Sequence, residues 1–155
     1  MSTTQTMPGH SFQLKRTFAA PRVRVFSAWT DARYFALWFC PSRHYKTVIT
    51  RLDLRAGGRY SLEMHHKDGG VHKLGGTYEE VCPPEKLVFS RRWEHEEDLP
   101  ESLVTVVFTD VDGSTEVNLL HQGLPSEESA QKHNQGWSSC LDKLEAHLSQ
   151  PPLSA

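Results

Sequence analysis

The stretch from residue 44 to residue 121 constrains this chain most, because it reads as six strands in succession with no room for helices between them. The runs fall at 44–54, 59–66, 71–81, 86–93, 102–109 and 115–121. Strong breakers separate them: Gly57-Gly58, Asp68-Gly69-Gly70, Pro83-Pro84, the acidic loop 94–101 and Asp112-Gly113. Short turns of this chemistry join antiparallel neighbours, whereas parallel strands need a long crossover. The sheet is therefore expected to be antiparallel and meander-like. Tyr60, Leu62 and Met64 alternate with Arg59, Ser61 and Glu63, and Leu87, Phe89 and Trp93 alternate with Lys86, Val88 and Ser90. Val104, Val106 and Phe108, then Val117 and Leu119, continue the pattern, so one face is apolar and rich in large side chains.

A further strand is expected at 12–18, with Phe12, Leu14 and Phe18 on one face. Pro21 suits the start of a short helix, whose apolar side the sequence assigns to Val23, Phe26 and Trp29. Thr30-Asp31 can cap a second short helix carrying Phe35, Leu37 and Trp38 and stopped before Pro41. Residues 126–148 run without proline behind Ser126, Glu127 and Glu128. Ala130, His133, Trp137, Leu141, Leu144 and Leu148 then form one helical stripe. Gly136 interrupts it, at up to about 1 kcal/mol relative to Ala, and is expected to admit a close backbone approach beside Trp137.

These elements describe an α+β domain. A curved seven-stranded antiparallel sheet wraps a long C-terminal helix, with two short helices between the first two strands. Residues 11–149 form the domain, and residues 1–10 and 150–155 are expected to be flexible ends. Trp137, Leu141 and Leu144 should meet the sheet face carrying Tyr60, Leu62 and Phe89. A sheet curled on one helix encloses space that stiff rings do not fill, so a cavity of roughly 300–1,000 Å³ is expected, with its mouth near Trp38-Phe39.

Composition narrows the function classes. The 155 residues carry a net charge of −2, with no basic excess to suit nucleic acid. Hydrophobic residues at 37% and charged residues at 23% fit a globular chain rather than a disordered one. The longest nearly apolar stretch, Tyr34 to Cys40, is far short of the roughly 20 residues that span a bilayer. Met1 to Thr6 show no secretory signal, and Cys40, Cys82 and Cys140 form no CxxC pair. The expectation is a cytoplasmic protein in a reducing compartment, a monomer or homodimer. Its nine histidines bring net positive charge in mildly acidic solution, a matter of solubility first.

Several motifs in the chain could carry chemistry. His65, His66 and His72 flank one hairpin turn, but adjacent strand residues diverge, so a shared metal is not implied. Glu94-His95-Glu96-Glu97-Asp98 reads as solvated loop charge, and Glu79-Glu80 diverge too far for paired acid/base work, although Glu80 alone could face the cavity. Gly57-Gly58 and Gly69-Gly70 are turn glycines rather than a phosphate loop. Cys40 beside Pro41 would be a reactive thiol if exposed. His121 and His133 are either satisfied buried histidines or polar anchors for a ligand. No carboxylate partner or nucleophile marks either as a general base.

The stretches FAAPRVRVFSAWTDARYFALWFCP, DLRAGGRYSLEMHHKDGGVHKLGGTYEEVCPPEKLVFSRRW and VTVVFTDVDGSTEVNLLHQGLPSEESAQKHNQGWSSCLDKLEAHL carry a resemblance. They resemble the bacterial activator of heat-shock protein 90 ATPase homologue 1-like proteins of the SRPBCC superfamily, also called START-like or Bet v 1-like. The resemblance covers residues 12–148. One departure is Phe39-Cys40, where the family usually has Trp-Gly before the proline. The resemblance implies the helix-grip fold and a deep hydrophobic cavity between the last helix and the sheet. It also implies ligands such as lipids and polyketide-, aromatic or flavonoid-like molecules.

The leading reading is a binding protein for a hydrophobic or aromatic small molecule. Its lining is assigned to Trp38, Phe39, Tyr60, Leu62, Met64, Phe89, Trp93, Phe108, Leu119, His121, His133, Trp137 and Leu141, which read equally as ordinary core. Tyr60, His121 and Trp137 would orient the ligand. The alternatives are a chaperone-interacting module and a superfamily enzyme of cyclase or hydrolase type. No catalytic residue, metal ligand or cofactor is assigned.

Overall fold

The computed structural model describes residues 9–40, 44–93 and 101–149. Of the expected flexible ends 1–10 and 150–155, residues 1–8 and 150–155 lie outside the described residues, as does the acidic run 94–98, while His10 already belongs to the first strand. Seven strands form one antiparallel sheet: β1 (His10–Phe18), β2 (Tyr45–Leu52), β3 (Arg59–His66), β4 (Val71–Cys82), β5 (Lys86–Trp93), β6 (Ser102–Val111) and β7 (Ser114–Leu124). Their order is β1-β7-β6-β5-β4-β3-β2, so β2 to β7 meander and β1 closes onto β7. The β6–β7 hairpin is longer than the alternation predicts. Asp112 and Gly113 both take positive φ, 53° and 89°, and pairing runs up to Val111↔Ser114. A two-residue turn of that hand matches the twist of its strands.

Two short helices, α1 (Arg22–Thr30) and α2 (Ala32–Trp38), fill the link between β1 and β2. Asp31 caps α2 as expected, its carboxylate accepting the Arg33 N–H. The assigned apolar sides need correction. Val23 is 69% exposed and Leu37 58%, while Val25, Phe26, Ala28 and Trp29 are the buried face of α1. At 3.6 residues per turn, Val23 lies well off the arc of 25, 26 and 29, and Leu37 lies across from Phe35 and Trp38.

The long helix α3 (Glu127–Leu148) starts where the sequence places it, with Ser126 Oγ accepting the Ser129 N–H. Its stripe is buried at Ala130, Trp137, Cys140, Leu141, Leu144 and Leu148. The helix runs closest to β1, β7 and α2 rather than over the β3 and β5 residues expected to meet it. Arg16 on β1 and Asp142 on α3 are ion-paired at 2.6 Å along that seam. Twist explains the shift, because a curled sheet carries its far strands away from a straight helix. No described helix is long and apolar enough to cross a membrane.

Candidate functional site

The gap between α3 and the far strands holds a pocket of about 210 Å³. Phe39 walls it at the end of α2, Met64 on β3, Arg91 and Trp93 on β5, and Lys132, His133, Gly136, Trp137 and Cys140 on α3. The volume falls below the expected range because rings occupy the α1–α2 end. Trp29 stacks on Trp137 at 5.6 Å and meets Trp38 edge-on at 4.7 Å. Phe35 stacks on Phe39 at 4.6 Å.

Each wall residue is held for a local reason. The Phe39-Cys40 segment is fastened on three sides: Thr47 Oγ1 donates to the Phe39 carbonyl, Lys143 Nζ to the Cys40 carbonyl, and Cys40 Sγ to the Tyr45 carbonyl at 3.0 Å. Cys40 is therefore buried, and the exposed reactive thiol is not what forms. Cys140 is buried too, and burial pushes its thiol up to about 11.

Gly136 does not serve a close approach. A Cβ built there would meet nothing within 4 Å, so the glycine opens the pocket wall instead of admitting a neighbour. Gly76 is the contrasting case, where an added Cβ would run into the Ser90 carbonyl oxygen. That carbonyl accepts the Tyr60 hydroxyl at 2.6 Å.

A hydrogen-bonded chain ties the pocket floor together. Trp137 Nε1–H donates to His121 Nδ1 at 3.1 Å, so the imidazole proton resides on Nε2. Nε2 then donates to Ser102 Oγ at 2.8 Å, and Ser102 Oγ donates to the Arg91 carbonyl at 3.3 Å. Protonating Nδ1 would set two N–H groups against each other. Burial is the largest cause lowering the His121 pKa, to about 2, with Arg91 and His133 adding repulsion. A group held neutral this firmly is a poor general base.

The expected lining residues therefore divide. Phe39, Met64, Trp93, His133 and Trp137 meet at the pocket. Trp38, Leu62, Phe108, Leu119 and Leu141 are packed fully inside the core. Tyr60 and Phe89 belong to an aromatic cluster with Tyr78, at 5.5–6.1 Å between rings. His121 lies beneath the pocket. Tyr60, His121 and Trp137 direct their polar atoms to protein partners rather than to open space. Glu80 turns away from the pocket, toward Lys86 at 3.5 Å.

Arg91, Lys132, Gly136 and Cys140 are the wall residues that the sequence reading missed. Arg91 had left a signal, for it occupies the inward position between Phe89 and Trp93 on β5. His65 is engaged with Glu63 at 2.8 Å, and no group of three metal-ligating side chains occurs among the described residues. A larger hollow of about 580 Å³ lies on the opposite, polar face of the sheet, bordered by Arg51, Arg59, Arg92 and Glu101. Its wall is mostly polar and also includes Tyr60, so its larger size does not suit it to an apolar ligand.

Comparison with known proteins agrees with the fold. The family described as "Activator of Hsp90 ATPase homolog 1-like protein" matches residues 19–149. No curated protein matches the chain in sequence. A crystal structure of a Chromobacterium violaceum protein is similar at 25% identity and a TM-score of 0.84, over 91% of this chain and 98% of that one. A Plasmodium falciparum protein described as an HSP90 activator is similar at 25% identity and a TM-score of 0.72, over 92% and 99%. A solution structure from Arthrobacter aurescens, at 23% identity and a TM-score of 0.81 over 91% and 87%, bears on the fold alone. With the match spanning both short helices, β2 to β7 and the whole gripping helix, this chain belongs to the activator of Hsp90 ATPase homolog 1-like family.

Proposed function

We propose that the protein binds a small hydrophobic or aromatic molecule in the pocket between α3 and the β3–β5 end of the sheet. The observation that carries the reading is Gly136. A helix interior tolerates glycine at a cost, and here the missing side chain leaves open space faced by Trp93, Trp137, Phe39 and Met64. Apolar walls around a space of this kind gain by covering a ligand that water solvates poorly. At about 210 Å³ the pocket suits one ring system or a short chain rather than a large lipid.

The test is a nitrogen–proton NMR titration of the full chain with 2-naphthol, a neutral probe. Saturable shifts should centre on Phe39, Met64, Trp93 and the Trp137 indole N–H. Gly136→Leu, whose side chain projects into the pocket, should abolish them while leaving the rest of the spectrum folded. Shifts absent, or scattered over the surface, would overturn the reading.

A second reading is a chaperone-interacting module, and the family match with the Plasmodium falciparum HSP90 activator supports it. Stimulation of a purified Hsp90 ATPase by this chain would favour it. No change in that ATPase with excess chain would remove it.

A further inference from the structure

Among the described residues, the pocket wall carries two cations, Arg91 and Lys132, and no carboxylate. Lys132 has a partner in Glu128, 3.3 Å away on the exposed side of the helix. Arg91 is different. Its Nε is sealed from solvent without a hydrogen-bond partner. No ion pair or side-chain hydrogen bond engages it among the described residues. What it has instead are ring faces, with its Cζ 5.2 Å from the centroid of Trp93 and 5.9 Å from that of Trp137.

Among the described residues, the groups around Arg91 supply no negative charge either. His121 is neutral and Cys140 keeps its thiol proton, while burial pushes the Tyr60 hydroxyl well up. Burial also works against the guanidinium's own charge. A buried cation is costly unless a counter-charge meets it, and ring contacts offset only part of that cost. A guanidinium also presents a planar fork of N–H donors that fits a carboxylate at two points.

We infer that the ligand of this pocket is an apolar acid, a small aromatic or aliphatic carboxylate whose anionic end pairs with Arg91 while its hydrocarbon lies against Trp93, Trp137, Phe39 and Met64. The inference rests on the binding reading above and adds the ligand's charge. A smaller hollow of about 30 Å³ is also lined by Arg91, Trp93 and His133.

Octanoate and octanamide are close in shape and differ in charge. Calorimetric titration of the full chain at neutral pH should show octanoate binding about tenfold or more tightly, the gain of a charge-assisted pair. In Arg91→Met, octanoate should weaken to the level of octanamide, and octanamide should bind no worse than before. A measurement on the unaltered protein covers the case where that variant does not fold: the arginine Nε–H signal of Arg91 should move with octanoate and stay with octanamide. Equal binding of the two probes would overturn the acid assignment and leave the apolar pocket standing. A preference for octanoate that survives Arg91→Met, or an Arg91 signal indifferent to octanoate, would place the charge recognition elsewhere and also overturn it. If neither probe binds and 2-naphthol leaves the pocket unmoved, the binding reading itself falls.

Discussion

The two halves of α3 follow one stripe and meet opposite fates. Toward its C-terminus the stripe carries Leu141, Leu144 and Leu148, all buried. Toward its N-terminus it carries His133, Gly136 and Cys140, and there the pocket opens. Trp137 belongs to both regions, stacked on Trp29 at 5.6 Å and also part of the pocket wall. The α1–α2 hairpin accounts for the filled half. It delivers Trp29, Phe35 and Trp38 into a ring cluster, locked where Trp38 Nε1–H donates to the Ala28 carbonyl at 2.8 Å. The other half receives no comparable set of rings from β3 and β5, only Met64, Arg91 and Trp93. Spacing therefore decides which way a helix faces, and side-chain volume decides whether the space it faces is filled.

The sharpest way to break that contrast is to cut into the filled half. Leu144 is fully buried. Leu144→Ala should lower stability by about 2–5 kcal/mol, the range for deleting a leucine from a close-packed site. His133→Ala on the open half should cost far less. Urea unfolding of both variants checks this. Similar losses would mean that the two halves are packed alike.

Acid offers a second, somewhat smaller test, aimed at the junction. The folded-state pKa of His121 lies near 2, below its ordinary 6.5, with burial as the main cause. Between those values the unfolded chain binds the extra proton, so stability is present above pH 6.5 and falls as pH drops. One such group loses about 1.4 kcal/mol per pH unit at most, or about 2 kcal/mol between about pH 7 and about pH 5. His147 is lowered as well, by burial first and Arg24 second, and adds in the same direction. Asp31, lowered chiefly by its bond with Arg33, acts only around and below 3.8. His121→Gln should therefore flatten most of the slope in urea midpoint between about pH 7 and about pH 5. A slope unchanged in that variant would show that His121 is not the group being titrated.

The contrast also explains what was legible in the sequence. The seven strands, their antiparallel order and the capped helices were readable because breakers and alternation are local signals. Asp112-Gly113 and Ser126 announce a turn and a helix start whatever surrounds them. The family resemblance likewise rests on contiguous segments. The pocket was only half legible. Large apolar residues at inward positions look alike whether they fill space or border it, so Leu62 and Phe108 could not be told from Met64 and Trp93. Val23 and Leu37 were misassigned because apolar character was read without the helical angle. Arg91 was passed over because an alternation scored for apolar residues skips the charged one in the same row. A charge at an inward strand position was the signal to follow.

Gly136 provides the smallest predicted effect and the one of opposite sign. Its backbone is ordinary helix with no positive φ, and a Cβ there would meet nothing within 4 Å. Alanine fits the same backbone while restricting the unfolded chain, so Gly136→Ala should stabilise the protein by about 0.4–1 kcal/mol. A glycine kept in mid-helix for packing would give the reverse, since the added methyl would push a neighbour aside. The methyl should also narrow the pocket slightly, weakening 2-naphthol while thermal stability rises. Urea unfolding and the naphthol titration on one preparation would read both changes. Loss of stability in Gly136→Ala would mean that the open half is closer-packed than its geometry states, and the division of α3 into a filled and an open half would fail at the residue where it is drawn.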